Sequence, residues 1–310
     1  MSILHSVVNK ALKFGKRVYD PQNPMDYAAA RAKELEQNKN ASAPKSVAIQ
    51  EAVLGGVPVE KLTCPGNPED RIVLYIHGGG FVVGSVKTRR AFTGYITDKL
   101  GCNVLAVEYR LAPEAPFPAA PQDCFAVYQA LIQEYDPKKV VILGESAGGN
   151  LVLATLLQIK EAGLQQPAAA VCIAPCVQFD EVFPSYTENA EKDAIVANLS
   201  EEVFDMYLQS KDNPQNPLFA PYYGDFIGCP PIYLWASTAE ILRDDSVKLY
   251  EKLRKARHSC NLYLRNCMMH TWMIVPYFPE SQKDLKRLKA HLEDAFSGKF
   301  RLEDDIVRLK

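Results

Sequence analysis

The chain has 310 residues, of which 47% are hydrophobic and 23% charged, so it can bury a sizeable core as a globular protein. Its formal net charge of -2 leaves no electrostatic footprint for nucleic acid or an anionic membrane. No run approaches 18 consecutive apolar residues, which excludes a helical bilayer span, and the eight cysteines lack any C-x-x-C pair, which argues against a metal site or disulfide framework and for a reduced, cytoplasmic chain.

Residues 1 to about 45 read as helical. The opening stretch MSILHSVVNKALKFGKRVYD has no continuous apolar core before a small-residue cleavage site, so it is not read as a signal peptide. It is expected to pack on the protein's own surface. VAIQEAVLGGVPVEKLTCP then predicts two strands around a turn at Gly55 and Gly56. From there apolar strands alternate with helices: strands at 72–77, 103–109, 139–144, 168–175, 231–237 and 260–265, and helices at 88–100, about 121–134, 146–163, up to about Lys255, and 281–295. Strands that are apolar throughout and separated by helices predict a mostly parallel sheet covered on both faces, an α/β fold. Residues 176–229 break the alternation with aromatics, prolines and one helical piece, LSEEVFDMYLQS, with Ser200 as N-cap and Glu202 nearby. This region is expected to be an insertion in one α/β domain.

Two glycine-rich motifs each end a predicted strand. Gly144-Glu145-Ser146-Ala147-Gly148 lies between the strand KVVILG and a long helix. A nucleophile on a strand-to-helix turn needs small residues two positions to either side, because the backbone folds tightly around it. The following helix also aims its N-terminal N–H groups at the site. His77-Gly78-Gly79-Gly80 follows the strand IVLYI. Successive glycines can turn their N–H groups toward a developing oxyanion. Gly79 and Gly80, with Ala147, are the favoured donors, and Gly78 is the weaker candidate. His77 is expected to anchor the loop. The loop lacks the Lys-Ser/Thr of a phosphate-binding loop.

HGGGFVVGS (77–85), EYRLAPEAPFPAAPQD (108–123) and GESAGGN (144–150), with HTW around His270 further on, together resemble the hormone-sensitive-lipase-like branch of the α/β-hydrolases, which are serine carboxylesterases. The resemblance runs from about residue 46 to the C-terminus. It implies an α/β-hydrolase core over 46–310, a cap built from residues 1–45 and the 176–229 insertion, and hydrolysis of short to medium acyl esters without a cofactor. Arg110, Glu114 and Asp123 are expected to hold a turn by ion pairs, and Glu145 to be a local hydrogen-bond partner.

Five histidines are present. His5 falls in the N-terminal helix, His258 and His291 in charged helical stretches, and His77 in the glycine loop. His270 follows the last strand, where this fold delivers its base, and the chain order Ser…acid…His is the expected one. Thr271 and Trp272 stand where the family usually carries a glycine. ASTAEILRDDS (236–246) offers three acids. Asp244 and Asp245 fall in the first turn of a helix, where the helix dipole favours acids without any catalytic role. Aligned with the family's D-x-L-R-D pattern, Glu240 takes the acid position. The resemblance thus implies a Ser146, His270 and Glu240 triad acting on a small hydrophobic ester in a pocket lined by some of Phe179, Phe183, Tyr186, Phe204, Tyr207, Phe219, Tyr222, Tyr223 and Phe226. No nucleic-acid partner and no stable membrane insertion are expected, and association with a second copy stays open. An amidase or peptidase on the same fold, and a non-catalytic receptor on it, are the alternatives.

Overall fold

A computed structural model describes residues 2–14, 26–196, 205–209 and 213–310. The helix expected around Ser200, Glu202 and Phe204 falls mainly outside these residues. Nine strands form one sheet: β1 (Ala48–Leu54), β2 (Val57–Thr63), β3 (Ile72–Ile76), β4 (Asn103–Val107), β5 (Val140–Glu145), β6 (Ala169–Ile173), β7 (Ile232–Ser237), β8 (Cys260–Arg265) and β9 (Val307–Leu309). Their order is β1-β2-β4-β3-β5-β6-β7-β8-β9. β1 and β2 form the expected hairpin, with Leu54 opposite Val57 and both intervening glycines at positive φ, +60° and +81°, the geometry a two-residue turn demands. β2 pairs antiparallel with β4, and the remaining neighbours from β4 to β9 are parallel.

Strands β3 to β8 are buried along their whole length, because helices cover both faces. The pleat sends Ile72, Leu74 and Ile76 of β3, with Val140 and Ile142 of β5, into one apolar layer. That layer is completed by α4 (Ala119–Leu131), α5 (Ala147–Glu161) and α7 (Arg243–Lys255). Val73 and Tyr75 of β3, with Val141 and Leu143 of β5, enter the opposite layer. There α3 (Arg90–Tyr95) and α8 (Pro279–Phe296) supply Phe92, Leu285, Leu288 and Leu292. The continuous apolar runs therefore mark strands buried on two faces.

Three differences from the sequence reading have local causes. The N-terminal helical stretch is α1 (Ile3–Phe14) and α2 (Tyr27–Asn38), and residues 39–47 are not helical. α2 fully buries none of its residues; half-buried Tyr27 packs on the core, and polar contacts of Arg31 and Glu34 add to its attachment. β9 was not anticipated, since three residues at the sheet edge are too few to show a period. His258 lies in the turn beyond α7 rather than in a helix, while His291 is in α8, stacked on Tyr233 at 4.5 Å. Within 176–229, α6 (Pro184–Glu188) is the one helix of five residues or more among the described residues.

Candidate active site

Ser146 stands between β5 and α5 with φ 55° and ψ -121°, a conformation that non-glycine residues rarely adopt. The flanking glycines make this turn possible. A Cβ on Gly144 would lie 2.5 Å from the Gly148 carbonyl oxygen, and one on Gly148 would lie 2.1 Å from that of Ile76. Asn150, one turn into α5, donates from Nδ2 to the carbonyls of Cys176 and Phe219. The elbow helix thereby grips the 176–229 insertion at its first residue and again at Phe219.

The glycine loop passes directly beneath. Gly78 N–H donates to Glu145 Oε1 at 2.8 Å, so it is turned away from any substrate. The N–H groups of Gly79 and Gly80 take no protein acceptor among the described residues, and Ala147 is the first residue of α5, where an N–H has no acceptor within the helix. Glu145 also accepts from Tyr75 Oη at 2.7 Å and Arg89 Nε at 2.9 Å. His77 donates from Nδ1 to the Gly78 carbonyl and stacks on Tyr109. Burial drives its pKa down to about 3, so it is a neutral strut.

Sequence reasoning missed the outer braces of this loop. Arg31 of α2 donates to the carbonyls of Val82 and Ala112 and pairs with Glu114. Glu34 of α2 accepts from Gly84 N–H and Arg89 Nη1. No local pattern announces such contacts, because each links residues more than 45 positions apart. Arg110 clasps Asp123 through both carboxylate oxygens, the structural pairing expected of the YRLAPE segment.

His270 arrives on the loop after β8 and Glu240 on the turn after β7. His270 Nε2 lies 2.9 Å from Ser146 Oγ, and its Nδ1 lies 2.6 Å from Glu240 Oε2. A carboxylate can only accept, so Nδ1 carries the proton and Nε2 is free to accept from the serine hydroxyl. Glu240 is fully buried and its second oxygen accepts from Ser237 N–H at 2.5 Å. Burial works to lower the His270 pKa, but the hydrogen bond and charge of Glu240, with the charges of Asp193 and Glu145, raise it on balance. His5 of α1 also reaches this loop, accepting at Nε2 from the Met269 N–H at 3.0 Å.

Asp244 and Asp245 do open α7, but they are buried rather than solvated. Asp244 accepts from Ser185 N–H at 2.9 Å. Asp245 accepts from Val177 N–H and Tyr186 Oη, both at 2.9 Å. Their role extends past helix stability to fastening the insertion. Thr271, where the family usually has glycine, sits in the left-handed region at φ 53° and ψ 31°. That explains the usual glycine and shows that threonine occupies its conformation at a cost. Trp272 is buried, with Nε1 donating to Asp284.

A cavity of about 670 Å³ opens over Ser146 and His270 and includes Gly78, Gly79 and Gly80 in its wall. Phe179, Val182, Ile195, Val196 and Ile274 make it largely apolar. Of the insertion aromatics, Phe179 and Tyr186 line it, whereas Phe183, Tyr207, Phe219 and Phe226 are buried in the core. No helix among the described residues is long and apolar enough to cross a membrane.

Residues 73–274 match the family model described as the α/β hydrolase fold. The chain is 33% identical over 234 residues to an acetyl-hydrolase of Streptomyces hygroscopicus, covering 74% of this chain and 78% of that one. It is 31% identical over 243 residues to an esterase of Acinetobacter venetianus, covering 77% and 80%. The crystal structure of an esterase from the bacterial hormone-sensitive lipase family superposes with a TM-score of 0.89 at 31% identity, over 96% of this chain and 99% of that one. An elbow, a glycine loop and an apolar cavity on this sheet thus accord with kinship across most of the chain, which belongs to the hormone-sensitive-lipase-like branch of the α/β-hydrolases and is a serine hydrolase of carboxylic ester bonds.

Proposed function

We propose that the chain hydrolyses short- to medium-chain acyl esters through Ser146, His270 and Glu240 by way of an acyl-enzyme. The observation that carries this reading is one imidazole held between Ser146 Oγ at 2.9 Å and Glu240 Oε2 at 2.6 Å. Ser146 Oγ attacks the ester carbonyl carbon as its proton passes to His270 Nε2. Glu240 keeps the imidazole in the Nδ1–H tautomer and stabilises the imidazolium. The negative charge on the former carbonyl oxygen is met by the N–H groups of Gly79, Gly80 and Ala147. His270 then protonates the departing alcohol, and the C–O bond to it breaks. Water repeats the sequence on the acyl-enzyme, giving the acid and free Ser146.

The apolar cavity of about 670 Å³ suits a modest hydrophobic acyl group, and kinship with the acetyl-hydrolase of Streptomyces hygroscopicus favours the short end of that range. Residues 1–45 and 176–229 are assigned to a cap and 46–310 to the core that carries it. The reduced, cytoplasmic setting rests on cysteine usage in the sequence. Hydrolysis of p-nitrophenyl esters from acetate to decanoate is the test. Turnover is expected to peak at or below medium length, and a maximum at the longest chain would refute the assignment.

A further inference from the structure

Asp193 lies in the insertion, far in sequence from every motif, yet it is almost completely buried. Its Oδ1 accepts from the N–H groups of Ile195 and Val196 at 2.9 and 3.0 Å. Its Oδ2 accepts from Ile241 N–H at 2.9 Å, the peptide that immediately follows Glu240. Among the described residues no cation pairs with it, so three backbone dipoles hold this carboxylate. One turn earlier, Asn189 Nδ2 donates to the carbonyls of Thr238 and Glu240 at 3.1 and 3.0 Å. Segment 189–196 therefore grips the Glu240 turn from both sides. The two peptides that share the other oxygen of Asp193 belong to Ile195 and Val196, which line the cavity.

We propose that Asp193 is a positioning residue for Glu240 and that it ties the acyl-facing wall at Ile195 and Val196 to the Glu240–His270 pair. The inference rests on the triad reading above. A buried carboxylate with three backbone donors is rigid, since release of any one would leave a polar group unsatisfied. Movement of the wall is thus resisted by the same group that holds the acid in place. A displacement of about 1 Å at a reacting group can cost on the order of 10²-fold in rate. Asp193 also adds negative charge near His270. Among the described residues, Glu240 from the turn after β7 and Glu145 from β5 also place negative charge near that imidazole; Arg89 pairs with Glu145, and His5 of α1 accepts from Met269 N–H on the same loop.

The test is a double-mutant cycle with Asp193→Asn and Glu240→Gln, with kcat expressed per serine that reacts with a fluorophosphonate and thermal unfolding followed alongside. Asparagine leaves its amide facing one of the N–H groups that the carboxylate accepts. Asp193→Asn is expected to lower kcat by about 10²-fold with KM nearly unchanged. It should also move the acid limb of kcat/KM to lower pH, because His270 loses a negative neighbour. In the Glu240→Gln background the same substitution is expected to add no further loss. Additive losses, or a lowered Tm with kcat per reactive serine and pH profile unchanged, would overturn the inference while the triad stood. Wild-type turnover in Glu240→Gln would overturn the triad reading and this inference with it.

Discussion

The Ser146 side of the cavity and the Glu240–His270 side are built in opposite ways. Ser146 is placed by its own neighbours: Gly144 and Gly148 permit the turn, Ser146 N–H donates to the Ile173 carbonyl of the adjacent strand, and α5 follows at once. Glu240 and His270 come from two loops that little holds locally. Ser237 Oγ donates to the Met268 carbonyl and Thr238 Oγ1 to Asn266 Oδ1, which tie the loops to each other. Asn189, Asp193 and His5 then fix them from 48 to 264 residues away in sequence. A serine on a strained turn needs rigid backbone, whereas an imidazole between two partners needs its loop aimed from outside. The contrast teaches that, in the proposed triad, the serine is secured by the core and the imidazole and its carboxylate by the periphery.

Substitutions should separate the two sides. Ser146→Ala or His270→Ala is expected to cost on the order of 10⁴-fold or more in turnover, measured with a short-chain p-nitrophenyl ester, and near-wild-type rates would dismantle the triad. Glu240→Gln should approach that loss through the wrong imidazole tautomer, while Asp244→Asn should leave turnover far higher and weaken attachment of the insertion. A dead Asp244→Asn enzyme would reverse the assignment of the acid.

On the Ser146 side, Arg89→Ala leaves Glu145 buried beside the glycine loop without its cation. A loss of about 3 kcal/mol is expected, read from denaturant unfolding, and an unchanged midpoint would show that Tyr75 and Gly78 suffice to hold Glu145.

The insertion should respond to pH. Burial raises the Asp245 pKa from the ordinary 3.8 to about 7. Between those values the folded chain holds a proton that the unfolded chain has released, so stability falls as pH rises from about 4 to about 7. Asp245→Asn is expected to flatten that part of the stability curve, and an unaltered slope would refute the role. The smallest effect expected is a gain of about 1 kcal/mol for Thr271→Gly, from relief of the left-handed backbone strain. No gain would mean that the threonine side chain offsets the strain through its contacts in the cavity wall.

Legibility followed the same division. The α/β fold, the hairpin at Gly55 and Gly56 and the elbow at Ser146 are carried by residues close together in sequence, where period, turn chemistry and spacing act directly. Glu240 was separable from Asp244 and Asp245 only through a family pattern. Their spacing alone left three acids open, and the two aspartates in the first turn of α7 are buried fasteners of the insertion. Arg31, Glu34 and Asp193 carried no signal, since each is an ordinary charged residue until folding brings a distant peptide N–H or carbonyl against it.

Local backbone geometry and the alternation of apolar strands with helices sufficed to specify strands β1 to β8 and the turn that presents Ser146. Which carboxylate meets the imidazole, and which side chains hold it there, was settled when β7 and β8 came side by side under the insertion. Hydrogen bonds between distant segments depend on three-dimensional proximity, and sequence spacing does not encode it.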